Sequence, residues 1–224
     1  MNHLKSHKVG VSRCRNSSSQ PPGYRGWPVS TVRHMSIQRG SVLVIAGPPA
    51  AGKTTIAARI AATAEVPTVH VPTDALHTWI KAGFVLPFLP EGVHQNAVIQ
   101  NVMLNVARAY SEGGYDVILD GVLGPWAVDG LRDGAADAGL SLSYIIVRPS
   151  LPVLLARAQA REGRHLREIE PIVGLDRAFG AIDESVLTVL DTSDLSIDDS
   201  AHSVMKAWRD GSLQLTSGDG NREA

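Results

Sequence analysis

One cysteine, Cys14, leaves no intrachain disulfide to staple a fold and fits a reducing compartment such as the cytoplasm. Aromatic side chains are only 5% of the 224 residues. A core must therefore come from Ala, Val, Leu and Ile, and the 44% hydrophobic content allows a sizeable one. No apolar run reaches the ~18 residues that a membrane span needs. The longest, near Val42 to Ala46, has strand length. Acids are missing altogether from residues 1–40, which hold seven of the 21 basic side chains. The rest of the chain carries a balance of −8. An acidic body argues against a general nucleic-acid surface, which needs a basic face. The length suits one α/β domain with tails.

Residues 1–40 also lack any sustained hydrophobic period. Ser17-Ser18-Ser19, Pro21-Pro22-Gly23 and scattered arginines predict a disordered extension. Three origins fit it: a floppy tail, translation that starts at Met35, or an organelle transit peptide, which shares the Arg- and Ser-rich, acid-free composition. Residues 211–224 read as a second loose tail around Gly218-Asp219-Gly220. The expected domain is residues 41–210.

Within it, strand and helix patterns alternate. Ser41 to Ala46 is a continuous apolar run, the mark of a strand buried on both faces. Helices are expected from Gly52 to Ala64, His94 to Glu112, Leu131 to Ala138, Pro152 to Arg161, Glu170 to Asp183 and Ile197 to Trp208. In the second of these, Val98, Val102, Val106 and Tyr110 form one stripe, and Gly113-Gly114 ends the helix. Further strands are expected at Thr68–Val71, Asp116–Asp120, Leu142–Val147 and Val186–Leu190. Five strands separated by helices imply a parallel sheet covered on both faces.

Between the first strand and first helix lies Gly47-Pro48-Pro49-Ala50-Ala51-Gly52-Lys53-Thr54, followed by Thr55. Gly47 and Gly52 permit a backbone curl that turns successive N–H groups inward, and the helix start adds its positive dipole end. The result is an anion cradle for nucleotide phosphates, the P-loop. Lys53 is expected to reach the β- and γ-phosphates, and the Thr54 hydroxyl to bind Mg²⁺.

Two acids end apolar strands. Asp120 closes Val117-Ile118-Leu119 and is a candidate Mg²⁺ partner; the alternative is an acid facing solvent. Asp74 follows the second strand, where a carboxylate could orient and deprotonate an acceptor hydroxyl. It could equally cap the helix that Ala75-Leu76-His77 begins. Arg157, Arg161 and Arg164 form a basic group, either a solvated helix face or a set of guanidinium forks for a phosphoryl group. Trp79, Phe84 and Trp126 are candidate apolar walls near these acids, though each could simply be packing.

Gly47 to Thr55, Thr73-Asp74, Val117 to Asp120 and Asp191-Thr192-Ser193 together resemble the small P-loop metabolite and antibiotic kinases. The pattern is most similar to chloramphenicol phosphotransferase-like proteins, and more distantly to gluconate and shikimate kinases. The resemblance spans residues 41–205. It implies a P-loop fold with strand order 2-3-1-4-5 and a small lid. It also implies ATP and Mg²⁺ as cofactors, and transfer of the γ-phosphate to a hydroxyl of a small molecule. Asp74 then activates the acceptor, Arg161 and Arg164 close on the phosphoryl group, and Asp191 to Ser196 pass the adenine. An ATP-hydrolysing switch with a macromolecular partner is the other reading. The absence of a second acid directly after Asp120 argues against a motor-type ATPase. The acceptor and the oligomeric state are not legible in the chain.

Overall fold

The computed structural model describes residues 38–161, 168–182 and 187–215. Most of the two tails, together with Arg164, lies outside the described residues. Among them, five strands form one all-parallel sheet: β1 (Val42–Ala46), β2 (Thr68–Pro72), β3 (Asp116–Gly121), β4 (Leu142–Val147) and β5 (Thr188–Leu190). Their order is β2-β3-β1-β4-β5, as the resemblance implied. The helices are α1 (Lys53–Ala62), α2 (Asp74–Thr78), α3 (Val93–Glu112), α4 (Pro125–Asp137), α5 (Leu151–Gln159), α6 (Ile169–Gly180) and α7 (Ile197–Arg209). No helix of the described residues is long and apolar enough to cross a membrane.

The central strand explains the two-layer burial. All five residues of β1 are fully buried, and they alternate between two cores. Val42, Val44 and Ala46 face α3 and α4 with Met103, Leu104 and Leu131. Leu43 and Ile45 face α1 and α7 with Ile56, Ile60, Val204 and Trp208. A strand with apolar residues on both faces is thus held from both sides, which is why the run shows no alternation. β2 and β5 are the edges and are only partly buried.

Two expectations shift. The valine stripe of α3 is not the core stripe: Val98, Val102 and Tyr110 are exposed, and Ile99, Met103, Leu104, Ala107 and Ser111 face inward. Both stripes have the same spacing, so periodicity alone could not choose. The inward one fits because α4 offers Gly134, where an added methyl would lie 2.4 Å from Leu104 Cδ1. The fourth helix also starts earlier than expected, at Pro125 in place of Leu131. Proline supplies the helical φ at a first-turn position whose N–H would be unpaired anyway, with extended Gly124 before it.

Candidate active site

The phosphate loop leaves β1 and enters α1 through three left-handed residues, Gly47 (φ 149°), Ala50 (φ 68°) and Gly52 (φ 95°). At Gly47 a methyl group would sit 2.2 Å from the Val147 carbonyl oxygen, so only glycine lets the loop pass β4. Ala50 has no such licence. A left-handed residue with a Cβ costs roughly 1–3 kcal/mol and persists only where its surroundings over-determine it. Here the Ala51 N–H donates to the Pro48 carbonyl at 3.3 Å, and both alanines are packed into the core.

Lys53 begins α1 and is buried at 7% exposure. Its Nζ donates to the Pro48 carbonyl at 2.9 Å across the mouth of the loop. Burial lowers its pKa to about 8, Asp74 and Asp120 oppose that shift, and Arg161 adds to it. With a pKa near 8 the lysine is mostly protonated at neutral pH and loses its proton above pH 8, whereas phosphate anions beside it would hold it charged. A pH effect follows with a definite sign. Above pH 8 the free protein binds fewer protons than the nucleotide complex, so ATP affinity is expected to fall as pH rises. The fall approaches tenfold per pH unit until the complex itself titrates. Calorimetry in buffers of different ionisation enthalpy should find about one proton taken up at pH 9 and almost none at pH 7. Equal uptake at both pH values would show that Lys53 does not meet the phosphates.

The two strand-end acids are brought to the same edge. Thr73 is buried, and both its N–H (2.8 Å) and its hydroxyl (2.9 Å) donate to the Asp120 carbonyl. This latch closes the exit of β2 on the end of β3. It leaves the Asp74 carboxylate next to the end of β3: a methyl added to Gly121 would lie 3.6 Å from Asp74 Oδ1. Asp74 is not the helix cap. Thr73 occupies the cap position, and Asp74 is the first residue of α2 with its carboxylate uncommitted to capping. Its charge reaches both Lys53 and Arg161, since it raises the pKa of each against the effect of burial.

Asp120 is 3% exposed, and both its carboxylate oxygens are engaged. The Thr54 hydroxyl donates to Oδ2 at 2.5 Å, joining the P-loop helix to β3. His70 Nε2 lies 2.6 Å from Oδ1. His70 was not singled out in the sequence. The only signal would have been its place on β2, and that needs the β2–β3 register to be known.

Among the arginines, Arg161 stands just beyond α5, with its pKa lowered by burial and supported by Asp74. Arg157 does a different job. It donates to the Thr192 carbonyl at 2.9 Å and reaches the Ala51 carbonyl at 3.5 Å, tying the loop after β5 to the phosphate loop. In that loop Asp191 Oδ1 accepts from the Ser193 N–H at 2.8 Å and hydroxyl at 2.5 Å. These bonds hold the Asp191 carboxyl below its usual range. Ser196 then caps α7 by accepting from the Asp199 N–H at 3.1 Å. The three candidate walls are all exposed, and Trp126 also meets Phe179 of α6 edge-on at 5.6 Å.

A family model described as an AAA domain matches residues 42–171, from the first strand into α6. The chain belongs to this P-loop kinase family. A curated relative, the cytidylate kinase of Pyrobaculum calidifontis, is 31% identical over 170 residues, spanning 70% of this chain and 87% of that protein. The P-loop kinase fold recurs in the tunicamycin resistance protein of Deinococcus radiodurans, at TM-score 0.59 and 19% identity. That match covers 80% of this chain and all of the other. It recurs as well in the Mycobacterium tuberculosis APS kinase solved with AMPPNP and APS, at TM-score 0.54 and 19% identity, over 76% and 98% of the two chains. At these identities the structural likeness establishes the fold. This kinase family binds nucleotide.

Proposed function

We propose that the chain transfers the γ-phosphoryl group of ATP to a hydroxyl of a small molecule. The observation that carries this reading is the placement of Asp74. It stands next to the phosphate cradle with its charge in reach of Lys53 and Arg161, and the helix does not use it as a cap. A carboxylate there can accept the proton of an acceptor hydroxyl. The acceptor oxygen then forms its bond to the γ-phosphorus as the bond to the ADP oxygen breaks.

The remaining residues divide the charge. The loop Gly47 to Thr55 holds the phosphates through the backbone N–H groups of its non-proline residues, and Lys53 neutralises them. Arg161 clamps the phosphoryl group, with Arg164 as its partner in that role. Thr54 and Asp120 offer a hydroxyl and a carboxylate 2.5 Å apart. Hard oxygen donors of this kind suit Mg²⁺, which keeps several waters and needs few protein ligands. Mg²⁺ bound with ATP would neutralise charge on the β- and γ-oxygens. The catalytic unit on this reading is residues 41–210, with the segments on either side outside it.

The test is ADP release in the presence of ATP, Mg²⁺ and a panel of sugars, nucleosides and antibiotics. At least one hydroxyl compound should accelerate ADP formation. Hydrolysis indifferent to every acceptor, but raised by a macromolecular partner, would support an ATPase switch and contradict the proposal.

A further inference from the structure

Asp120 is addressed from the side by His70 of the edge strand β2. Along β2, Thr68, His70 and Pro72 point to one face and Val69 and Val71 to the other. β2 pairs with β3 so that His70 lies opposite Ile118 and Pro72 opposite Asp120. Ile118 belongs to the core on the α1 side, so His70 and Asp120 share that face, diagonal to one another. A diagonal neighbour is within reach of a long side chain. The direct neighbour, Pro72, has no polar group to offer, so the imidazole is the strand's only hydrogen-bonding side chain aimed at Asp120.

The contact itself is short and sheltered. His70 Nε2 is 2.6 Å from Asp120 Oδ1, with side-chain exposures of 15% and 3%. An ionised carboxylate can only accept, so Nε2 carries the hydrogen whichever protonation state the ring adopts. Thr54 donates to the other oxygen. Two donors on two different elements, one on the edge strand and one on the P-loop helix, therefore fix both the χ angles and the plane of the carboxylate.

We infer that His70 is a positioning residue for the metal–nucleotide site: it orients the Asp120 carboxylate toward the cation that accompanies ATP. Groups that hold a metal ligand in place typically contribute 10–100-fold in metal affinity. The inference rests on the reading of Asp120 as a metal partner, and the test separates the two.

The measurement is Mn²⁺ binding to the full chain in the presence of AMPPNP, followed by the electron paramagnetic resonance of free Mn²⁺. No acceptor and no turnover are needed. His70→Phe keeps a ring and removes the donor. It should weaken Mn²⁺ binding about 10–100-fold while leaving metal-free AMPPNP affinity within about twofold. His70→Gln restores an N–H donor at similar reach and should recover most of the loss, which a purely structural histidine would not predict. If His70→Phe loses its melting transition, His70→Ala removes the same donor with less bulk and answers the same question. Asp120→Asn is the benchmark. Loss of Mn²⁺ affinity in Asp120→Asn, with wild-type affinity in His70→Phe or His70→Ala, overturns the role of His70 alone. Wild-type affinity in Asp120→Asn overturns the metal reading and the role of His70 with it.

Discussion

Asp74→Asn is expected to bind ATP as the wild type does and to transfer phosphoryl groups about 10²–10⁴-fold more slowly, the scale of general acid–base assistance. Asparagine keeps the shape of the side chain and removes the base. ATP binding should survive because the phosphate cradle hangs from β1 while Asp74 hangs from β2, two positions away in the sheet. Stability should hardly change. Thr73 takes the cap position, so only the favourable interaction of a charge with the helix dipole is lost, about 0.3–1 kcal/mol. Single-turnover transfer with an active acceptor, measured alongside nucleotide affinity and melting temperature, checks all three. Transfer within a few-fold of wild type would remove Asp74 from the mechanism, and with it the strongest reason to prefer a kinase to an ATPase switch.

Lys53→Ala should reduce turnover by at least about 10²–10³-fold, the usual effect of removing one donor aimed at developing charge. Unlike Asp74→Asn, it should also weaken nucleotide binding. The lysine is the side-chain cation of the cradle, and its Nζ lies across the loop on the Pro48 carbonyl. The proton uptake on ATP binding at pH 9 should vanish in the same variant, which links the two measurements to one side chain. Lys53→Arg should not rescue it. The residue is only 7% exposed, and a planar guanidinium does not replace a compact ammonium at such a site. Wild-type turnover in Lys53→Ala would contradict the assignment of the phosphate loop.

The phosphate loop was legible because its chemistry is local. Gly47, Gly52, Lys53 and Thr54 stand in one turn, and the apolar strand before them and the helix after them lie within the same stretch of chain. The strand order was legible only through resemblance, since nothing in the composition of β3 says that it sits between β2 and β1. Asp74 and Asp120 could be picked out as strand-end acids. That both stand at one edge of the sheet depends on the latch from Thr73 to the Asp120 carbonyl, a contact between residues 47 positions apart. His70 went unnoticed for the same reason: a histidine in an edge strand carries no signal until the register pairs it with Asp120, 50 positions on. On α3 the two stripes had equal periodicity, and Gly134 of α4, which receives Leu104, decided between them. Arg161 stands where Asp74 feels its charge, whereas Arg157 of the same basic run turned away to bind the loop after β5. Helical spacing placed the two arginines on one face and could not tell their partners apart.

The destination of the γ-phosphoryl group tests the account most directly. Phosphorus NMR of a reaction containing ATP, Mg²⁺ and each acceptor in turn follows every phosphorus atom at once. The account predicts a new phosphate-monoester signal with at least one acceptor. That signal should grow at the rate of ADP formation in the wild type and be nearly absent with Asp74→Asn. Inorganic phosphate as the sole product, formed at the same rate whatever acceptor is present, would contradict it.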